Sequence, residues 1–523
     1  MSARAPYFAD PGPSFASLLG ATAFPARVDP DKVAIRWDSG QRTYSELRDR
    51  ALRIAEALRV RGVGRGDRVA VLLPNRSEVL ELMFACAYAG LTLVPINFRF
   101  APAEIGHVLD DCSPRLLLTQ ESLVNSARAG AAGGGTEVLV MGDVDEEHAL
   151  ERIGLLGPER LSGGYPTQDP LLMLYTSGTS GRPKAVVLEH RTILWHTMMQ
   201  ISHYPSFGQE MTMLVNGPFY NASGIYDLTP PTLFVGGEVA LLPSGGWTPE
   251  GLAERVSAWG VTHLLMFPST ILRLLESDRR ERLGLESLRF VLIGGEHLPA
   301  STVFQFTDRW DHFVTATAYG LTEGGLVTYI EGEELRAHPE SVGRAVVEMR
   351  IVDEGGEELP AGDIGEVLVG GGTIFSGYFN APELTAGAKL PNGWLATGDL
   401  GWRDDAGYYY ISGRKKDMII SAAQNIFPAE IEHVLSHHPE IREVAVIGVP
   451  DPKWGEAVCA VVVPEPGSAL TAELVVDYAK ERLASYKKPR HVVFVDELPR
   501  SSLTYVLKSQ LREQLRDIGA PAP

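Results

Sequence analysis

Twice between Thr43 and Pro95 the hydrophobic period switches from that of a helix to that of a strand, and this alternation restricts the fold more than any other feature. Thr43 and Glu46 form a capping-box pattern ahead of Leu47, Ala51, Ile54, Ala55 and Leu58, which share one helical face. Gly62 and Gly64 close that helix, residues 68–73 read as a buried strand, and Pro74-Asn75 stops it. A second apolar helix over residues 78–89 ends at Gly90, and residues 91–95 read as the next strand. Parallel strands need crossovers of this kind. The pattern therefore predicts an α/β chain whose large N-terminal domain holds parallel-rich sheets covered by helices.

At 523 residues the chain is too long for one compact core, and its character changes near Gly413. Before that point, strands are punctuated by glycine turns, as at residues 365–370. Beyond it, a helix is expected at 428–437, strands at 443–449 and 457–463, a helix at 472–484 and a strand at 491–495. That is a small α+β unit. The charged turn Gly413-Arg-Lys-Lys-Asp417 is the expected boundary, dividing the chain into 1–413, a connector at 414–417, and 418–523.

Charge and cysteine usage exclude several classes of function. Forty-seven basic and sixty-six acidic side chains give a net charge of −19, and no Lys/Arg cluster offsets it, so nucleic acid is not an expected partner. Cys86, Cys112 and Cys459 lie far apart, with neither a CxxC pair nor a nearby histidine, which points to a reducing compartment. The first ten residues lack the apolar run of a signal peptide, and no eighteen consecutive apolar residues occur. The expectation is a cytoplasmic protein without a membrane span.

Chemistry concentrates in Leu174-Tyr-Thr-Ser-Gly-Thr-Ser-Gly-Arg-Pro-Lys-Ala185. Thr176, Ser177, Gly178, Thr179, Ser180 and Gly181 lie between two predicted strands, 171–175 and 185–188. Glycines permit close backbone approach while N–H groups and hydroxyls turn inward, which suits a triphosphate. Lys184 adds a point charge against the β/γ oxygens. The loop lacks the GxxxxGK[ST] spacing of a Walker A motif.

This segment resembles the phosphate loop of the AMP-forming acyl-CoA synthetases, the superfamily of peptide-synthetase adenylation domains and beetle luciferases. The resemblance extends from Thr43 to Leu511. It implies that a small-molecule carboxylic acid attacks MgATP to give an acyl adenylate, that a small mobile α+β C-terminal domain then rotates, and that coenzyme A displaces AMP. Further segments carry roles by the same resemblance. In Ala318-Tyr-Gly-Leu-Thr-Glu323, Tyr319 and Gly320 would lie along adenine, Thr322 would touch the α-phosphate, and Glu323 would hold Mg²⁺. Alone, a Thr-Glu pair is more often a helix cap. Gly294, Gly295 and Glu296 resemble the segment beside adenine and the acyl pocket. Asp399, in Thr397-Gly-Asp399, would accept both ribose hydroxyls, Arg414 would contact the ribose, and Lys416 falls at the hinge.

Three departures qualify the resemblance. In Leu498-Pro-Arg-Ser-Ser-Leu-Thr-Tyr-Val-Leu-Lys508, Tyr505 stands where the adenylation lysine belongs, and tyrosine, with a reference pKa of about 10, is neutral near pH 7. Losing one such electrostatic contact typically lowers rate by roughly 10²–10³, about 3–4 kcal/mol. Ala422 and Ala423 replace two glycines of the loop that would line the pantetheine tunnel, which implies impaired thioester formation. Finally, Pro218-Phe-Tyr-Asn221 lacks the family's histidine. Tyr220, Asn221 and Gly224, together with Gly295, Gly320 and Gly324, outline an acyl pocket expected to take a bulky or cyclic acid.

The leading expectation is an acid–thiol ligase that uses ATP, Mg²⁺ and coenzyme A, with one half-reaction weakened and a second ligase available to complete it. Two alternatives stand beside it: a non-adenylating, thioester-forming partner enzyme, and a pseudoenzyme that binds nucleotide without turnover. A carrier protein acting in trans is a further acceptor, because no Gly-Gly-x-Ser carrier segment occurs in the chain.

Overall fold

The computed structural model describes residues 28–141, 168–177, 183–204, 207–245, 247–277, 283–295, 298–421, 424–500, 506–516 and 518. The capping box is formed as the sequence requires. The Glu46 N–H donates to Thr43 Oγ1 at 3.2 Å, the Thr43 N–H donates to Glu46 Oε2 at 2.8 Å, and the helix runs Tyr44–Val60. The next helix, Ser77–Ala89, ends with Gly90 in the left-handed conformation at φ 67°, which a side chain would resist.

These units feed two sheets. Six strands, Val33–Trp37, Glu238–Leu241, Thr212–Val215, His263–Met266, Phe290–Ile293 and Val314–Thr317, run parallel side by side. An antiparallel half continues from them through Thr328–Glu331, Gly343–Ala345, Tyr408–Arg414, Leu395–Arg403, Gly365–Gly370 and Glu348–Val352. In the second sheet, Thr92–Pro95, Arg68–Leu72, Leu116–Gln120 and Glu137–Met141 lie parallel beside Pro170–Ser177. Periodicity anticipated the parallel pair Arg68–Leu72 and Thr92–Pro95. The antiparallel half alternates too briefly between glycine turns to have announced its partners.

One hydrophobic core joins the sheets. It takes Val69 and Leu93 from one sheet, Val239 and Leu241 from the other, and Leu80, Met83 and Phe84 from Ser77–Ala89. That helix also buries Glu81 completely, against Arg50 at 2.9 Å and Arg42 at 3.4 Å. A charge so deep is tolerated only with its partners in place.

The third sheet belongs to the C-terminal unit, where Ile441–Asp451 and Gly455–Pro464 form a long antiparallel pair flanked by Pro428–Ser436 and Ala472–Arg482. His491–Phe494 runs parallel to Gly455–Pro464. Arg414 still pairs with Asp399 in the large sheet, and a single 3₁₀ turn, Lys415–Asp417, follows it.

Candidate active site

Residues 174–177 and 183–185 lie at the end of a β-hairpin. Pro170–Ser177 and Pro183–Glu189 pair antiparallel, with Thr176 opposite Lys184 and Ser177 opposite Pro183. The strands therefore continue beyond the predicted limits and carry Thr176 and Lys184 to the hairpin's tip. Gly178, Thr179, Ser180 and Gly181 fall outside the described residues, as do Glu296, Ala422, Ala423 and Tyr505.

Thr322 and Glu323 do not cap a helix. They lie, with Gly324, at the turn between Gly320–Leu321 and Gly325–Leu326, a small antiparallel hairpin. The hairpin depends on its glycines. A Cβ on Gly320 would sit 2.6 Å from the Gly325 carbonyl oxygen, and one on Gly325, at φ 73°, would sit 2.6 Å from the His196 ring. Gly224 is similarly pressed, 2.4 Å from the Pro218 carbonyl oxygen for an added Cβ. These glycines allow backbones to meet.

Glu323 and Lys184 meet here, Nζ 3.2 Å from Oε1, although they are distant in sequence. Between them stands Tyr378, which sequence reasoning missed. Its hydroxyl donates to Glu323 Oε1 at 2.7 Å and accepts from Lys184 Nζ at 2.5 Å. The ammonium also lies 3.9 Å from the ring centroid. Burial, then the Glu323 charge, push the Tyr378 phenol up, so it keeps its proton.

A second cluster collects Tyr319, Asp399 and Arg414. The Tyr319 hydroxyl donates to Asp399 Oδ2 at 2.5 Å, and Arg414 Nε lies 2.8 Å from Oδ1. Thr397 fixes the carboxylate's own backbone: its Oγ1 accepts from the Asp399 N–H at 3.0 Å. Burial raises the Asp399 carboxyl, opposed by the Arg414 charge and the Tyr319 hydroxyl. Partial desolvation, together with the Arg414, Arg512 and Lys184 charges, lowers Lys416, with Asp417 opposing. Lys416 therefore senses both clusters.

Beside the glycine hairpin lies a wall of buried polar groups. Asn75 clamps the segment before Asn221, donating to the Gly217 carbonyl at 2.8 Å and accepting from the Phe219 N–H at 3.0 Å. Tyr220 is buried edge-on to Phe98 at 5.7 Å. His196 Nε2 accepts from the Leu326 N–H at 3.0 Å, and burial holds that imidazole down to about 3. Asp227 is buried, with the neutral His196 Nε2 4.0 Å from its Oδ1 and no other ion-pair partner among the described residues, and burial pushes its carboxyl up to about 7. The Tyr226 hydroxyl, Gln200 Oε1 and Asn221 Nδ2 are buried without a hydrogen-bond partner among the described residues. The sequence signal was present in part, since His196 and Gln200 stand four apart on the buried face of His190–His203.

Residues 24–379 match the AMP-binding enzyme family, and residues 430–503 match its C-terminal domain. The chain belongs to the AMP-binding enzyme family. A feruloyl-CoA synthase of Amycolatopsis sp is 35% identical over 497 residues, 94% of this chain and 97% of that protein. An indoleacetate–CoA ligase of Aromatoleum aromaticum is 34% identical, over 93% and 96%. Among solved structures, ATP-bound MatB of Rhodopseudomonas palustris superposes with a TM-score of 0.88 at 32% identity, covering 95% of this chain and 99% of that one. The protein is an enzyme of the acid–thiol ligase type, and ATP-dependent activation of a carboxylic acid is the chemistry of its family. No described helix is long and apolar enough to cross a membrane.

The donor set fits the family's magnesium in one way only. Among the described residues, no three His, Cys, Asp or Glu side chains gather around a common point. A lone Glu323 carboxylate suits an ion that shares phosphate oxygens with its nucleotide, the usual mode for Mg²⁺.

Proposed function

We propose that this enzyme activates a bulky, aromatic-type carboxylic acid as its acyl adenylate and passes the acyl group to coenzyme A. The observation that carries the reading is the pair of clusters: Tyr319–Asp399–Arg414 for adenosine and Lys184–Glu323 for phosphate, joined by one short hairpin. Asp399 would exchange its Tyr319 and Arg414 contacts for ribose hydroxyls, and Lys184 would leave Glu323 for the phosphate oxygens. Thr322 would contact the α-phosphate. Glu323 would hold the magnesium ion, whose charge offsets that of the phosphates and of leaving pyrophosphate.

The acid's size is argued from Tyr220, Asn221 and Gly224, and from the aromatic acids in the names of two relatives. Lys416 would be the pivot on which residues 418–523 turn between the two half-reactions. Tyr505 in place of a lysine makes adenylation the slower half, and Ala422 and Ala423 narrow the path of the thiol. A second ligase would then complete the weaker half, and the cytoplasm is the compartment proposed for both.

Pyrophosphate exchange, measured beside coenzyme A consumption from a preformed aryl acyl adenylate, tests the reading. Slow but real exchange, together with thioester formation, is expected. Thioester formation without any exchange would instead establish the non-adenylating partner that Tyr505 favours. Nucleotide binding with neither half-reaction would establish the pseudoenzyme.

A further inference from the structure

Tyr378 touches both charged groups at the phosphate end, and its own placement is fixed from three sides. The two-residue strand Gly377–Tyr378 pairs with Val186 and Val187, so Tyr378 stands opposite Val186, two residues along the strand from Lys184. Its N–H donates to Thr385 Oγ1 at 2.9 Å, and its ring meets Phe375 at 4.8 Å with planes 67° apart. The Phe375 N–H in turn donates to the Glu323 carbonyl at 2.9 Å. Segment 375–378 therefore holds Glu323 by its backbone and by its carboxylate.

The direction of these contacts matters. The Tyr378 hydroxyl and the Lys184 ammonium both converge on Glu323 Oε1, and no hydrogen bond reaches Oε2 from the described residues. Arrival of a triphosphate would draw Lys184 away, because the phosphates carry more charge than one carboxylate. The tyrosine has no such alternative. Its hydroxyl, held in place by the Gly377–Tyr378 strand, Thr385 and the Phe375 ring, goes on donating to Oε1.

We propose that Tyr378 is a positioning residue for the metal–phosphate end of the site, its hydroxyl fixing one oxygen of Glu323 so that the other faces the divalent cation accompanying ATP. This rests on the reading of the site as an ATP site. Groups that orient a metal-ligating carboxylate typically change metal affinity or activity by about 10–100-fold when removed. Here the affected quantity is the metal-dependent part of nucleotide binding. The Tyr319–Asp399–Arg414 cluster shares no hydrogen bond with Tyr378 among the described residues, and only the Arg414 charge reaches the phenol, so the cluster should be little changed.

The experiment is calorimetry on the full chain and on Tyr378→Phe, which keeps the ring and its packing, with AMP, ATP plus EDTA, and ATP plus Mg²⁺ as probes. Expected is an AMP affinity within about twofold of the parent, with ATP–Mg²⁺ binding weakened about 10–100-fold. The same variant in a Glu323→Gln background should add less than about twofold, since the tyrosine acts through that carboxylate. Mn²⁺ titration followed by water-proton relaxation supplies a readout independent of turnover. Equal loss of AMP and ATP–Mg²⁺ binding would make Tyr378 merely structural and overturn the proposal. So would unchanged ATP–Mg²⁺ binding, additive effects with Glu323→Gln, or a parent chain for which Mg²⁺ does not strengthen ATP binding. Failure of the functional reading has a different signature, absent pyrophosphate exchange with metal-dependent ATP binding intact.

Discussion

Asp227→Asn replaces a buried carboxyl with its neutral near-isostere and isolates the energetic consequence of burying that acid. Asp227 ionises in the fold only at about 7, and burial alone is the cause. An unfolded aspartate ionises near 3.9. A folded value raised above the unfolded one means that the folded chain holds the proton more tightly, so stability is fullest below about pH 4 and is lost as pH rises through about 7. Between about pH 5 and about pH 8, linkage removes roughly 2–3 kcal/mol from the parent chain, and the asparagine variant does not share that loss. Unfolding entropy grows with chain length, and in a domain of several hundred residues about 1 kcal/mol moves the melting temperature by about 1 °C. The difference in melting temperature, variant minus parent, should therefore grow by about 2–3 °C from the acidic to the alkaline buffer. Scanning calorimetry of both chains in matched buffers measures it, with every other titrating group cancelling in the subtraction. Parallel curves at the two pH values would refute the reasoning, because they would mean that Asp227 is solvated or paired in the fold.

Two further outcomes follow from the geometry. Asp399→Ala removes the carboxylate that holds Tyr319 and Arg414, and charge-assisted hydrogen bonds are worth about 1.5–3 kcal/mol each, so calorimetry should find AMP binding weakened about tenfold or more. Gly325→Ala places a methyl 2.6 Å from His196 at φ 73°, and equilibrium urea unfolding should register about 1–3 kcal/mol of lost stability.

What was legible in the sequence is what short-range chemistry determines. Thr43 and Glu46 sit three residues apart, so their cap could be read directly, and Gly90 announced a helix end for the same reason. Thr322-Glu323 and Thr397-Gly-Asp399 were singled out as motifs, but only the fold joins Tyr319 to Asp399 across 80 positions. Tyr378 went unread because its significance lies in its register against Val186, which no local pattern encodes. The sole local hint was a glycine ahead of it and Pro382 starting a helix just beyond. Asp227 was missed for a different reason: an acid in an apolar stretch shows its burial only once its neighbours are in place.

Lys184 and Tyr378 are separated by 194 positions, and this spacing has a consequence for biosynthesis. At about 5–20 residues per second, roughly 10–40 s pass between emergence of the lysine from the ribosome and that of the tyrosine. Throughout that interval Pro183–Glu189, with its apolar Ala185–Leu188 stretch, is the outer edge of its sheet, because the strand that covers it has not yet been made. Unpaired apolar edges recruit other chains. A nascent chain stalled or truncated before Gly377 would thus carry an adhesive border, which makes the short Gly377–Tyr378 strand the cover that closes it.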